Sequence, residues 1–306
     1  MVNEYDVIII GGGIAGLQAA IQLGRYKHNI AVIDSNDGRS TICRNYHNIL
    51  GWPDGVSGET LRNLGKIHAE RYGATFIQNE VIKIEKNDDT FQIKCRGGDT
   101  FAAKRLLLAT GIKENIPSIK NIYKCLGISV YVCPDCDGYE VIDKHVIVIG
   151  SGNPGASMAI TLAYFTRDIT FINHDWSKLD NEAMTMLEQK GITYHQDEVD
   201  EILLDESTSD FTGVKLKSGN IIQGHRGFLG FAGNVVRSEL AKQLAIERLE
   251  NKHIIVDPRT KMTNIQHVWA AGDIAVHSEQ TTIAMGDGMQ AAIWIHKSLL
   301  NEKTCE

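Results

Sequence analysis

Tyr5-Asp6-Val7-Ile8-Ile9-Ile10-Gly11-Gly12-Gly13-Ile14-Ala15-Gly16 opens the stretch that decides the fold, and the stretch runs on to Ile30-Ala31-Val32-Ile33-Asp34. Val7 to Ile10 is a continuous apolar run, the pattern of a parallel strand covered on both faces. The glycine cluster follows at once. Leu17, Ala20, Ile21 and Leu23 then predict a helix, which Gly24 ends, and Ile30 to Ile33 predict the next strand. Glycines at 11, 13 and 16 permit a tight turn and let a pyrophosphate approach the helix N-terminus. Asp34, about 20 residues on, stands where a carboxylate accepts from ribose hydroxyls. A glycine fingerprint alone is weak; with both strands, the helix and the acid it is specific.

The same logic recurs further on. Val146-Ile147-Val148-Ile149 predicts a strand, Gly150-Ser151-Gly152-Asn153-Pro154-Gly155 a second turn, and Met158, Ile160, Thr161 and Leu162 a helix. Ile169-Thr170-Phe171-Ile172 is the following strand, so the chain carries an internal duplication of architecture. Between the two units, Val81 to Leu108 alternates in strand fashion and closes on Ala109-Thr110-Gly111. Lys113 to Pro117 and Gly230 to Gly233 read as linkers. Near the end, Val268-Trp269-Ala270-Ala271-Gly272-Asp273 is a strand entering a turn, and a helix begins at Thr281. Gly286 and Gly288 suit that helix only where its backbone lies close to another element or a ligand.

Just before the second turn stands Cys133-Pro134-Asp135-Cys136-Asp137-Gly138. Two cysteines separated by two residues interconvert as dithiol and disulfide, and the thiolate fraction sets their reactivity. Half a zinc site is the other reading of such a pair, but Cys43, Cys95, Cys125 and Cys305 are scattered singly and supply no second pair. Cys43, Cys95 and Cys125 are expected as small apolar core residues, and Cys305 as a tail residue.

Composition sets outer limits. The 306 residues suffice for two domains, and 43% hydrophobic with 23% charged residues is ordinary for a soluble protein. The formal net charge of -7 argues against nucleic acid as a partner. No apolar run approaches the roughly 20 residues that span a bilayer. The N-terminus carries no basic region with a cleavage site, so a cytoplasmic location is expected.

Taken together, Gly11 to Gly16, Ala109-Thr110-Gly111, Cys133 to Gly138, Gly150 to Gly155, Gly230 to Gly233, and Ala271-Gly272-Asp273 with Gln280 and Gly286-Asp287-Gly288 resemble the low-molecular-weight thioredoxin reductase family over nearly the whole chain. The resemblance implies an α/β fold of two Rossmann-like, three-layer domains, the second inserted into the first. Residues 1–116 and 238–306 would form the FAD domain, and residues 117–237 the inserted NAD(P)-like domain that carries the cysteines. It also implies a homodimer. By position, Gly11, Gly13 and Gly16 would hold the FAD pyrophosphate, with Ala15 among the cofactor contacts, Asp34 the ribose, and Asp273 the ribityl chain. Gln280 would lie near the flavin ring, with Asn45, Gly111, Gly272 and Thr281 completing the FAD contacts. Cys136 would accept electrons from the flavin, Cys133 would exchange with a substrate disulfide, and Asp137 would supply and receive protons. The substrate so implied is a thioredoxin-like protein or a small-molecule disulfide.

Two departures from the family pattern bear on donor and substrate. Relatives that use NADPH carry arginines after the second strand of the inserted domain, where guanidinium groups pair with the 2'-phosphate. Here that stretch is Asn173-His174-Asp175-Trp176-Ser177-Lys178, which has no arginine and places Asp175 where it would repel a phosphate. Gly150, Gly152 and Gly155 keep NADH open, and a ferredoxin-type donor is open too. The second departure is Arg44-Asn45-Tyr46-His47 with Gly51-Trp52-Pro53-Asp54-Gly55 and Tyr139-Glu140, which are similar to gliotoxin-type dithiol oxidases. Those enzymes form disulfides in small molecules and pass electrons to oxygen, and they often carry His where this chain has Asp137. Glu279 also stands where thioredoxin reductases usually have Arg.

Blander readings stay beside these. The second glycine turn can be scaffold that binds nothing. Asp137-Gly138 is also an ordinary turn dipeptide, and His47 an ordinary surface histidine. A non-catalytic FAD-bound redox sensor, signalling through the state of the cysteines, is the alternative from another class.

Overall fold

The computed structural model describes residues 3–275 and 278–303, with side chains as far as residue 300; Cys305 lies outside the described residues. The chain divides into two compact units, Met1–Thr41 with Ser57–Lys113 and Val235–Glu306, and Ile42–Val56 with Glu114–Asn234.

In the first unit the strand Asn3–Ile10 lies centrally, parallel to Ile30–Asp34 on one side and Thr100–Leu108 on the other. Thr75–Gln78 extends the parallel sheet beyond Ile30–Asp34. The hairpin Val81–Asn87 and Thr90–Cys95 joins the opposite side antiparallel. Val268–Ala270 pairs parallel with the upper half of Thr100–Leu108.

The apolar run of the first strand is continuous because both faces are covered. Ile8 and Ile10 pack with Ala31, Ile33 and Phe91 on one side, while Val7 and Ile9 pack with Ala15, Ala19, Ala20 and Leu23 on the other. The last four belong to the helix Ile14–Arg25. That helix runs one residue past Gly24, contrary to the sequence expectation. Gly24 serves packing instead of termination: a Cβ there would sit 2.8 Å from the Cβ of Tyr72. The left-handed residue that turns the chain is Lys27, at φ 65°.

The C-terminal helix Thr281–Lys303 joins the same layer through Ala291, Ala292, Ile295 and Leu299. Buried Arg105 fastens it to the sheet, donating from Nε to Ser298 Oγ at 2.8 Å and from a terminal nitrogen to Ser298 O at 3.2 Å.

The second unit repeats the plan with a five-stranded parallel sheet. Its order is Thr193–His195, Ile169–Asn173, Val146–Gly150, Arg226–Gly230, Val130–Tyr131. The helix Gly152–Leu162 covers one face through Ala156, Ala159 and Leu162. An antiparallel meander of Val199–Leu204, Phe211–Leu216 and Ile221–Gln223 contributes Val199, Ile202, Phe211 and Val214 to the core of the other face. The segment Ile42–Val56 groups with this unit. Tyr46 N donates to Val56 O at 2.8 Å, and Gly127, at φ +73°, leaves room for the backbone of Arg44. Among the described residues no helix is long and apolar enough to cross a membrane.

The two glycines of the C-terminal helix carry opposite expectations. A Cβ on Gly288 would run into the carbonyl of Ala15, whose carbon lies 2.9 Å away, whereas a Cβ on Gly286 meets nothing within 4 Å. In the apoprotein, denaturant titration of Gly286→Ala is expected to show a gain of about 0.5–1 kcal/mol. Gly288→Ala is expected to lose about 2 kcal/mol or more, because backbone must shift. Equal effects at the two positions would contradict this packing.

Candidate functional site

The cysteine pair sits where the parallel sheet of the second unit ends. The short strand Val130–Tyr131 runs beside Arg226–Gly230, and two residues later the chain reaches Cys133. Ligand sites of open α/β sheets lie outside the carboxyl ends of their strands. Cys133 caps a single helical turn, Pro134–Asp137, with Pro134 at a position where its missing N–H costs nothing. The carbonyl of Cys133 accepts from the amides of Cys136 and Asp137 at 3.2 and 3.0 Å. This turn brings the two Cα atoms to 5.3 Å, and Cys133 and Cys136 are joined as a disulfide. The amide of Cys136 also donates to the Cys133 sulfur at 3.2 Å.

Asp137 follows directly. Burial, reinforced by the charge of Glu140, pushes its carboxyl up to about 7, and among the described residues its side chain makes no hydrogen bond or ion pair. Gly138 then passes against the Phe165 ring, where any side chain would collide. The other cysteines differ from this pair. Cys95 and Cys125 are buried thiols held above their ordinary pKa by burial. Cys43 is only half-buried and its thiol donates to Asn45 O, so it is not the core residue expected from the sequence.

In the first unit the predicted phosphate-binding positions come together at one sheet end. Gly11, at φ +106°, lies against the carbonyl of Ala109, and Gly16 lies against the carbonyl of Gly11. Neither position has room for a side chain. A Cβ on Gly13, by contrast, meets nothing within 4 Å, so open space lies over the start of the helix Ile14–Arg25. That helix has no capping side chain and no acidic residue in its first turn. Ala15 abuts Gly272, at φ +78°, whose amide donates to Asp287 Oδ2 at 3.3 Å. Asp287 in turn holds Lys261 in a buried pair at 2.8 Å.

Asp34 closes the strand Ile30–Asp34 beside Gly12, and its Oδ2 accepts from Arg62 at 2.7 Å. Among the described residues its Oδ1 makes no hydrogen bond. Arg62 also donates to Gly12 O at 2.9 Å and Asn36 Oδ1 at 2.8 Å, which fixes the whole turn. Gly111 is left-handed at φ +62°, next to Thr110, whose hydroxyl donates to Arg237 O. Asp273 pairs with Arg39 at 3.5 Å, and the same guanidinium pairs with Glu279 at 3.0 Å. Gln280 and Thr281 lead into the C-terminal helix, the Gln280 carbonyl accepting from Ala284 N. Asn45 belongs to the second unit, with its side-chain amide packed on Gly55.

The resemblance read from the sequence implies FAD, and this arrangement fits it. A bare helix start, an open position over Gly13 and a carboxylate oxygen at the second strand end are what a dinucleotide requires. Sequence reasoning missed Arg62 and Arg39. They meet Asp34 and Asp273 only through tertiary folding, at separations of 28 and 234 residues.

In the second unit, Gly150 and Gly155 pack on each other and on Gly230, with a Cβ on Gly150 falling 2.6 Å from the Gly155 Cα. The amide of Gly152 donates to Asn173 Oδ1 at 3.0 Å.

Known proteins are similar to this chain over nearly its whole length. The thioredoxin reductase of Rickettsia felis is 26% identical over 305 residues, spanning 96% of this chain and 97% of that protein. The thioredoxin reductase of Treponema pallidum is 28% identical over 299 residues, covering 95% of this chain and 96% of that protein. Among solved structures, HlmI superposes with a TM-score of 0.89 at 26% identity, over 99% of this chain and 94% of that one. The Putative Thioredoxin Reductase TrxB from Bacillus anthracis gives 0.84 at 27% identity, over 98% of this chain and 99% of that one. With residues 5–288 matching the pattern of the pyridine nucleotide-disulphide oxidoreductases, the chain belongs to that family and is a flavoprotein disulfide oxidoreductase similar to the thioredoxin reductases.

Proposed function

We propose that the protein exchanges electrons between FAD and the Cys133–Cys136 pair, and between that pair and the disulfide of a thioredoxin-like protein. The observation that carries this reading is the disulfide at the sheet end, followed directly by an acid pushed up to about 7. FAD would be held by Gly11, Gly13, Ala15 and Gly16 at its pyrophosphate, by Asp34 at its ribose and by Asp273 at its ribityl chain. Asn45, Gly111, Gly272, Gln280 and Thr281 would complete the contacts. When bound, FAD supplies two-electron exchange with a thiol pair. The FAD unit would be made of both chain ends, with the second unit inserted, and the assembly would be a homodimer in the cytoplasm.

The protein's own steps follow from thiol chemistry. With the pair reduced, the Cys133 thiolate attacks a substrate sulfur, forming a mixed disulfide and expelling the other substrate sulfur as a thiolate. Asp137, about half protonated at neutral pH, can donate the proton that this leaving group takes up. Cys136 then attacks the Cys133 sulfur, which restores the disulfide and releases the substrate as a dithiol. The substrate gains the two electrons that the cysteines lose.

The same sulfurs run in reverse oxidise a small-molecule dithiol, with oxygen as the final acceptor. The arginine-free stretch Asn173–Lys178 favours this second reading. Anaerobic mixing of the FAD-loaded protein with dithiothreitol is expected to bleach the visible flavin band, and Cys136→Ser is expected to abolish the bleaching. Full disulfide turnover by Cys136→Ser would refute the assigned exchange.

Asp137→Asn is expected to slow exchange at neutral pH by about 100-fold, the lower end of what a positioned acid contributes. The wild-type rate is expected to fall as pH rises through about 7, where Asp137 loses its proton, and the Asn variant is expected to lose that limb. Stability gives an independent check. Asp137 holds its proton in the folded state up to about 7 and in the unfolded state only to about 4. The native state therefore binds the extra proton between these values, and its stability falls as pH rises through that window. Asp137→Asn is expected to raise the melting temperature more at pH 8 than at pH 5; a pH-independent difference would contradict the raised carboxyl.

A further inference from the structure

The duplication lets one turn be compared with the other inside the same chain. Gly11, Gly12 and Gly13 of the first unit correspond to Gly150, Ser151 and Gly152 of the second. At the third position the two differ. Nothing lies within 4 Å of a Cβ built on Gly13, whereas a Cβ on Gly152 would sit 3.0 Å from the carbonyl oxygen of Lys178 and 3.1 Å from the Cβ of Ser177. Gly152 is left-handed at φ +47° where Gly13 is extended, and at the second helix start the chain's own backbone at Lys178 lies against the turn.

The covering segment follows the strand Ile169–Asn173 and is tied to the turn along its length. Asn173, fully buried, clamps both partners: its Oδ1 accepts from Gly152 N at 3.0 Å and its Nδ2 donates to Ser177 O at 2.7 Å. Ser151 Oγ donates to Asp175 Oδ2 at 2.6 Å and lies 3.1 Å from Ser177 Oγ. Asp175 Oδ1 accepts from Ser177 N at 3.1 Å, which folds the segment back on itself. Further along, Asn153 Nδ2 donates to Asp180 Oδ2 at 2.6 Å and Asp180 N donates to Asn153 Oδ1 at 3.0 Å. Asp180 also caps the helix Asn181–Gln189, so the far end of the segment is anchored as well.

These contacts occupy what a dinucleotide would need. The amide of Gly152 is satisfied, and the side-chain hydroxyl of Ser151 and amide of Asn153 are turned to carboxylates. Asp175 and Asp180 place negative charge where a pyrophosphate would enter. The charge of Asp175 is well held: burial opposes it, but donation from Ser151 and from the Ser177 amide keeps its carboxyl below the usual range. His174 does not offset it, since its Nδ1 accepts from Val199 N at 2.9 Å. The residues present at this turn do not fit a nicotinamide dinucleotide.

We propose that the segment Asn173–Asp180 is a built-in strap that closes the second glycine turn, so that the second unit binds neither NADH nor NADPH and serves as the carrier of the disulfide. The strap replaces the ligand: Asp175 and Ser177 take the hydrogen bonds at Ser151, and Asn173 takes the Gly152 amide. This claim is separate from the thiol chemistry above, because it concerns binding and not turnover.

The test is calorimetric titration of the FAD-loaded protein, whose first turn is then filled, with NADH, NADPH and the redox-silent probe ADP-ribose. Wild-type protein is expected to show no saturable binding up to about 5 mM. The triple variant Ser151→Gly, Asp175→Ala, Ser177→Gly removes the ties among Ser151, Asp175 and Ser177 while leaving the Asn173 clamp, the Asn153–Asp180 pair and the sheet in place. It is expected to bind ADP-ribose at least about tenfold more tightly than wild type, with circular dichroism unchanged. Wild-type binding of any probe with a Kd below about 0.1 mM would overturn the proposal. So would a folded triple variant that gains no affinity, since the contacts among Ser151, Asp175 and Ser177 would then not be what closes the turn.

Discussion

Backbone-to-backbone approach at glycine is the constraint on which the rest of this structure depends. In each unit the helix after the first strand crosses that strand so closely that side chains are excluded at the crossing. Gly16 lies on the carbonyl of Gly11, and Gly150, Gly155 and Gly230 form a three-way contact. Only this closeness lets the helix start point over the sheet end. Ala15, Gly272 and Gly288 continue the same economy of volume between the first helix, the last turn and the last helix. Remove the crossing and the helix start no longer lies over the sheet end.

The duplication shows what that scaffold does and does not determine. Both units carry the strand, turn, helix and strand; Asp34 ends the second strand of one, while Asn173 ends that of the other, two residues before the carboxylate of Asp175. Their partners separate them. Asp34 is paired with the guanidinium of Arg62 on one oxygen and keeps the other available. Asp175 spends both oxygens on Ser151 and Ser177. A shared fold thus yields an open turn beside a closed one, and the difference lies in a few hydrogen bonds of a connecting segment.

Much of this was legible in the sequence because it is local. Apolar runs, glycine spacing and the acid at the strand end lie within one strand–helix–strand unit, and the cysteine turn is set by three residues of spacing and a proline. What escaped is long-range. Arg62 and Arg39 reach their carboxylates across 28 and 234 residues of chain, and the pairing of Arg39 with Glu279 gives a role to a residue that the sequence marked only as a departure. The half-buried state of Cys43, the grouping of Ile42–Val56 with the second unit and the close approach of the Arg44 backbone to Gly127 are likewise encoded by no local pattern. Gly24 misled for a related reason: its missing side chain makes room for Tyr72, and a helix stop signal looks the same in sequence.

The central claim is that Cys133–Cys136 is a redox centre in electronic equilibrium with the flavin. Anaerobic reductive titration of the FAD-loaded protein tests it most directly, because flavin and disulfide each take up two electrons. The account predicts about four electrons per FAD for the wild type and about two for the Cys133→Ser, Cys136→Ser double variant. A wild-type protein that accepts only about two would contradict it.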